Sequence, residues 1–186
     1  MLDDCKITAY SELLKHELQE ATGCTEPIAL ALAGAKTKQV LGVMPDKVEV
    51  YCSGNIIKNV KAVTVPNSGG LKGIDVAVLL GMVGGDADAS LQVISHVNEQ
   101  QRMELRKQLL ADKVTCQLAR NVPTLYIRVV ASCGNDSAEV EIQNTHSNFT
   151  RIVRNGQVQY ECEAGETVDI MAASKELMNV DRKSIV

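Results

Sequence analysis

The sequence has no tryptophan, one phenylalanine and four tyrosines among 186 residues. Base-stacking platforms of the kind that bind single-stranded nucleic acid are therefore largely missing. Basic surplus is missing too. Lys and Arg number 19 against 23 Asp and Glu, a net charge of −4, which leaves nothing to neutralise a phosphate backbone or an anionic membrane surface. No apolar run approaches the length of a membrane span. The longest, Ile28–Ala35 and Ile74–Val83, are half as long as a bilayer requires. The N-terminus, Met-Leu-Asp-Asp-Cys, has no signal-peptide pattern, so a cytoplasmic protein with reduced thiols is expected. No C-x-x-C pair joins any of the six cysteines (Cys5, Cys24, Cys52, Cys116, Cys133, Cys162), which argues against a self-contained zinc site. Most of them are expected to act as small buried hydrophobes.

What is present is an ordinary folding composition, 45% hydrophobic and 23% charged, with length for one domain spanning residues 1–186. Tyr10, Leu13, Leu14 and Leu18 fall on one face of an amphipathic helix that Ala21-Thr22-Gly23 ends. A second helix is expected from Glu26, with Pro27 in its first turn and Thr25 as its cap. Its Ile28–Ala35 segment is apolar all round and small, as in a buried helix that neighbours approach closely. Val48, Val50 and Cys52 alternate with Glu49 and Tyr51, predicting a half-buried strand. Ala62–Val65 reads as another, stopped by Pro66. Helices are predicted over Ile74–Met82, stopped by Gly84-Gly85-Asp86, and over Asn98–Ala111. From Val114 onward four β-rich runs follow: Val114–Ala119, Leu125–Ser132, Ala138–Thr145 and Arg151–Tyr160, the last broken by the hairpin signal Asn155-Gly156. The expectation is an α+β fold: a helical front half with short strands, then an antiparallel meander of about four strands and a C-terminal helix from Asp169. That last helix runs to Val186 without a cap, which suggests a polypeptide that once continued.

Chemistry concentrates in a few segments. Cys24 precedes a helix N-terminus, whose partial positive charge favours a thiolate, the form required of a nucleophile or a metal ligand. Glu26 adds a carboxylate beside the sulfur. The residues alone leave three readings open: a capped helix with a quiet thiol, a nucleophile, or an iron ligand. Asn67-Ser68-Gly69-Gly70-Leu71-Lys72-Gly73 frees backbone N–H groups toward an anion and adds a cation, with the wrong spacing for a nucleotide P-loop. A carboxylate suits it better, although such a pattern is also an ordinary turn. Asn55 to Asn59 places polar groups after a strand, as ligand contacts or as a solvated loop. His146 ends a strand and could carry a proton near neutral pH. His16 and His96 lie in helical patterns without an assigned role.

Three motifs taken in order, Ala21–Pro27, Val65–Gly73 and Gly84-Gly85-Asp86, resemble the L-cysteine desulfidase family, related to the alpha part of iron–sulfur L-serine dehydratases. The resemblance covers essentially the whole chain. It implies a pyridoxal-independent lyase that eliminates sulfide or water from L-cysteine or L-serine, giving pyruvate and ammonia. It also implies a 4Fe-4S cluster on three cysteines, with one iron acting as a Lewis acid. By position, Cys24 would be one metal ligand. Glu26, Lys72 and His146 would be catalytic, and Thr25, Asn55, Asn59, Asn67, Ser68, Gly69 and Gly70 would meet the amino-acid substrate. Family members are much longer, and their other two cluster cysteines lie in a C-terminal half that is absent here. The chain is therefore expected to bind no cluster and to be inactive alone, as a fragment, a disrupted gene product or one subunit of a split enzyme. The rival reading is a small-molecule binding or regulatory module; a cluster-free thiol enzyme would instead require a depressed Cys24 pKa. Neither nucleic acid nor membrane is an expected partner. The apolar helix is expected to leave an exposed patch and to favour self-association.

Overall fold

A computed structural model describes residue 21 and residues 23–162. The helices predicted around Tyr10–Leu18 and after Asp169 lie outside them. In chain order the elements are α1 (Thr25–Leu41), β1 (Lys47–Cys52), α2 (Gly54–Val60), α3 (Ile74–Gly84), a single 3₁₀ turn (Ser90–Gln92), α4 (Glu99–Leu110), β2 (Val114–Leu118), β3 (Tyr126–Cys133), β4 (Asp136–Gln143), β5 (Phe149–Arg154) and β6 (Gln157–Glu161). This is an α+β fold with a helical front half and a six-stranded, mostly antiparallel sheet.

Alternation places the sheet's inner face. Val50, Val129, Val140 and Ile152 lie in one cross-strand row, and Cys52, Ile127, Ile142 and Phe149 in the next. Most of these are fully buried against α1, while Glu49, Tyr51, Arg128, Glu139 and Glu141 face the other way. On that outer face Arg128 pairs with Glu139 at 2.6 Å and lies 5.3 Å from the centre of the Tyr51 ring. The β3–β4 turn has a left-handed Gly134 at its first central position, and the β5–β6 turn has both Asn155 and Gly156 left-handed. These are the two-residue hairpins whose twist suits the strands they join.

The Ile28–Ala35 stretch of α1 is buried on every side. Ile28, Leu30 and Leu32 are fully inaccessible, each contributing about 1.5–3 kcal/mol of burial. Its small residues explain how. A Cβ on Gly34 would overlap the Val78 carbonyl, and one on Gly81 would overlap that of Ala31. The backbones of α1 and α3 therefore touch. The expected exposed patch along Ile28–Ala35 is absent because α3 and the sheet cover it.

Three further expectations change. Val114–Leu118 is not part of the meander; it pairs parallel with β1 at the sheet edge, in the order β2-β1-β3-β4-β5-β6. Ala62–Val65 forms no strand, only an isolated bridge between Thr64 and Lys72, because the chain folds straight back through Val65 N–H to the Leu71 carbonyl, 2.9 Å. Asn55–Asn59 is helical rather than a loop, since the Ser53 hydroxyl accepts from the Ile56 N–H at 3.4 Å and caps α2. Arg151–Tyr160 forms the hairpin that Asn155-Gly156 signals, as β5 and β6. Among the described residues no helix is long and apolar enough to cross a membrane.

Candidate functional site

Three segments distant in sequence meet at one end of the sheet. β1 ends at Cys52, antiparallel β3 begins beside it at Tyr126, and β4 ends at Gln143 next to β3's start. The chain then leaves by α2 after β1 and by residues 144–148 after β4. The N-terminus of α1 comes to the same place.

Cys24, not Thr25, is the residue before the first turn of α1, and it makes no side-chain cap. Instead its Sγ–H donates to Glu26 Oε2 at 3.2 Å, and the Thr25 hydroxyl reaches the same oxygen at 3.5 Å. Asn59, on α2, donates through Nδ2 to Glu26 Oε1 at 3.0 Å. One helical turn earlier, exposed Asn55 shares that face of α2. His146, from the β4–β5 loop, is half-buried and feels the charge of Glu26.

The electrostatics correct one expectation. Burial, then the hydrogen bond and charge of Glu26, push the Cys24 thiol above its ordinary value. The helix end carries about half a unit of positive charge, and a full carboxylate 3.2 Å away outweighs it. This direction is the opposite of what the cluster-free thiol enzyme would require. Burial works against the Glu26 carboxylate, but hydrogen bonds from Cys24, its own N–H and Asn59 prevail and hold it below the usual range. Burial lowers His146, against the opposing pull of Glu26. The arrangement is a carboxylate bonded to a thiol and an amide, with an imidazole within electrostatic range, a set suited to taking or passing a proton.

The glycine loop is built differently from the expectation. Asn67 donates Nδ2 to the Ile94 carbonyl at 2.9 Å, and buried Ser68 donates to the Val65 and Leu71 carbonyls while accepting the Leu71 N–H. These bonds hold the loop closed; Ser68 is buried, whereas Asn67 stays exposed with its Oδ1 outside this bond. Gly69 and Gly70 form its exposed left-handed tip, with φ of 78° and 89°, and Lys72 is exposed beyond them. The loop starts against the thiol turn: a Cβ on Gly23 would lie 2.9 Å from the Pro66 ring. Two residues were missed. Arg102 and Arg106, one turn apart on α4, lie over Gly69, at 3.5 and 3.6 Å from where its Cβ would be. Their i, i+4 spacing was visible in the sequence, but nothing local tied it to a loop more than thirty residues earlier.

The implied 4Fe-4S cluster needs three thiolates. The site supplies one sulfur, Cys24, and among the described residues no three Cys, His, Asp or Glu side chains converge on a metal position. The described residues do not by themselves fit the cluster.

The chain is similar to UPF0597 proteins of several bacteria. It is 45% identical over 150 residues to that of Finegoldia magna, 43% over 155 to that of Fusobacterium nucleatum, and 42% over 158 to that of Lachnoclostridium phytofermentans. These alignments cover 80%, 83% and 85% of this chain but only 36%, 36% and 38% of the relatives. The chain thus spans little more than a third of the length of the curated relatives it matches, whose names state no activity. No family model and no solved structure matches it.

Proposed function

We propose that this chain is the substrate-activating part of a β-eliminating lyase acting on a small amino acid, L-cysteine or L-serine, and that it is inactive alone. One observation carries the reading: the Glu26 carboxylate accepts hydrogen bonds from Cys24 and Asn59, and its charge is felt by His146, so that three separate segments contribute. Such a carboxylate is a candidate for removing the α-proton of an amino acid, with His146 as the next proton carrier. Arg102 and Arg106 over Gly69, with exposed Lys72 in the same loop, suit the substrate carboxylate. In this reading Cys24 is one thiolate of an iron–sulfur site whose other ligands lie outside the described residues. Cys24 would hold such a site as a thiolate, its proton released to water, and without the thiol hydrogen bond Glu26 would be a stronger base.

Calorimetric titration with L-serine and L-cysteine tests the proposal. Binding is expected, weakened about tenfold when Lys72→Ala removes a charged contact. No pyruvate should form. Heat of binding absent for both amino acids would overturn the substrate assignment. A stoichiometric visible charge-transfer band after anaerobic reconstitution with iron and sulfide would overturn the claim that the chain alone holds no cluster.

A further inference from the structure

Among the described residues β2 is the last strand at its end of the sheet, and β1 is its only neighbour. The bonds that bracket this pair fix which backbone groups point outward. Val48 N–H donates to the Lys113 carbonyl at 2.9 Å, and Ala119 N–H donates to the Cys52 carbonyl at 2.8 Å. Bonding residues alternate along a parallel ladder, so Thr115 and Gln117 also turn their backbone groups to β1. Val114, Cys116 and Leu118 turn their N–H and C=O groups away from the sheet.

This edge lacks the usual defences. Val114–Leu118 carries no charge and no proline, and its register with β1 runs without a bulge. At the opposite end of the sheet, β5 and β6 shift register against each other, and β6 carries Glu161, paired with Arg151. Exposed apolar surface also concentrates at β2. Leu110, just before the strand, is 87% exposed and Leu118, at its end, 53%, the two most exposed large hydrophobic residues among those described.

The strand's own sequence suits a second copy of itself. Val114-Thr115-Cys116-Gln117-Leu118 has the same apolar and polar pattern read in either direction. Laid antiparallel about Cys116, Val114 meets Leu118, Cys116 meets Cys116, and each facing pair exchanges two hydrogen bonds. The apolar side chains of both copies stay on the helix-covered face. The same register brings exposed Asp112, two residues before the strand, toward exposed Arg120, two residues after it, at both ends of the contact. Centring the contact on Thr115 or Gln117 would part these charges and leave an outward residue beyond the end of the facing strand.

We propose that β2 is a self-association edge, joining two copies of this chain through a two-fold antiparallel pairing centred on Cys116. The contact is isologous, so it closes at two copies, and the two sheets become one. Five residues from each copy make a small interface, so the dimer forms reversibly.

Sedimentation of the intact chain from micromolar to millimolar concentration should show monomer passing into dimer and nothing larger. A short bis-maleimide should link that dimer through Cys116 of both copies, located by peptide mass mapping, although Cys24 is exposed too. Arg120→Asp should weaken association about tenfold, because like charges then meet at both ends, and Asp112→Arg about as much. The double variant, which exchanges the two charges, should return to within about twofold of the original. A monomer at every concentration would overturn the proposal, as would cross-links made through Cys24 or a double variant no better than the single ones. Protection of the matching strand from hydrogen exchange in the monomeric full-length Finegoldia magna protein would also overturn it. That result would assign the edge to the part of the longer relatives outside the alignment. The wild-type cross-link stands whether or not the charge variants fold.

Discussion

At Glu26 burial disfavours the carboxylate while Cys24 and Asn59 donate to it, and the balance governs both neighbours. Its charge helps to raise the Cys24 thiol and opposes the fall of His146. Glu26→Gln should therefore move both groups the same way. Cys24 alkylation at pH 8 should quicken about threefold as the thiol pKa falls. The His146 pKa, followed by the NMR shift of its ring proton, should drop further below 6.5, because burial then acts unopposed. An unchanged His146 titration would show that the two do not communicate. Part of this site was legible in the sequence: Cys24, Glu26, Asn59 and His146 were each singled out for having polar chemistry at an element's end. Their grouping was not, because it depends on which strand ends lie side by side. The loop-closing bonds of Asn67 and Ser68 are invisible in the sequence for a related reason. A side chain that closes its own loop and one that awaits a ligand look alike until their partners are known.

Among the elements, the contact of α1 with α3 is the least tolerant. Gly34 and Gly81 lie where the two backbones touch, so an added methyl meets a carbonyl rather than a side chain that could swing away. Gly81→Ala should lose about 2 kcal/mol despite alanine's better helix propensity, read as a lower urea midpoint with an unchanged slope. Ser53→Ala should cost about 1–2 kcal/mol, because the hydroxyl both caps α2 and donates to the Thr124 carbonyl at 2.6 Å. It should also weaken the Asn59 contact, since α2 carries that residue. Element types were readable from period and turn chemistry: α1 from its apolar run, β1 and β4 from alternation, the last hairpin from Asn155-Gly156. The parallel placement of β2 was not. Its five residues pair only with β1, more than sixty residues earlier, and an exposed edge strand has no alternation to betray its direction.

Stability of the whole molecule ties the site to the fold, because a group whose pKa falls on folding makes stability depend on pH. Glu26 and His146 both fall below their ordinary values of 4.5 and 6.5. For Glu26 the contribution is present above pH 4.5 and is lost as pH drops through the folded pKa. For His146 the unfolded chain takes up its proton first, so stability begins to decline below pH 6.5. Burial, reinforced by its hydrogen bond to Glu141, raises Tyr126. Its contribution is complete below pH 10 and disappears as pH rises through the folded value. The expected profile is a plateau near neutrality with losses on both sides. Glu26→Gln isolates one part of it. The variant should be less stable than wild type at pH 7, where the ionised carboxylate accepts hydrogen bonds from Cys24, Thr25 and Asn59. The deficit should shrink as pH falls below 4.5, because protonated glutamic acid offers its neighbours little more than glutamine does. Urea midpoints of both proteins between pH 3 and 8 measure the difference directly. A deficit independent of pH would mean that Glu26 supports the fold by its shape alone, and the proton-handling role assigned to it would lose its electrostatic basis.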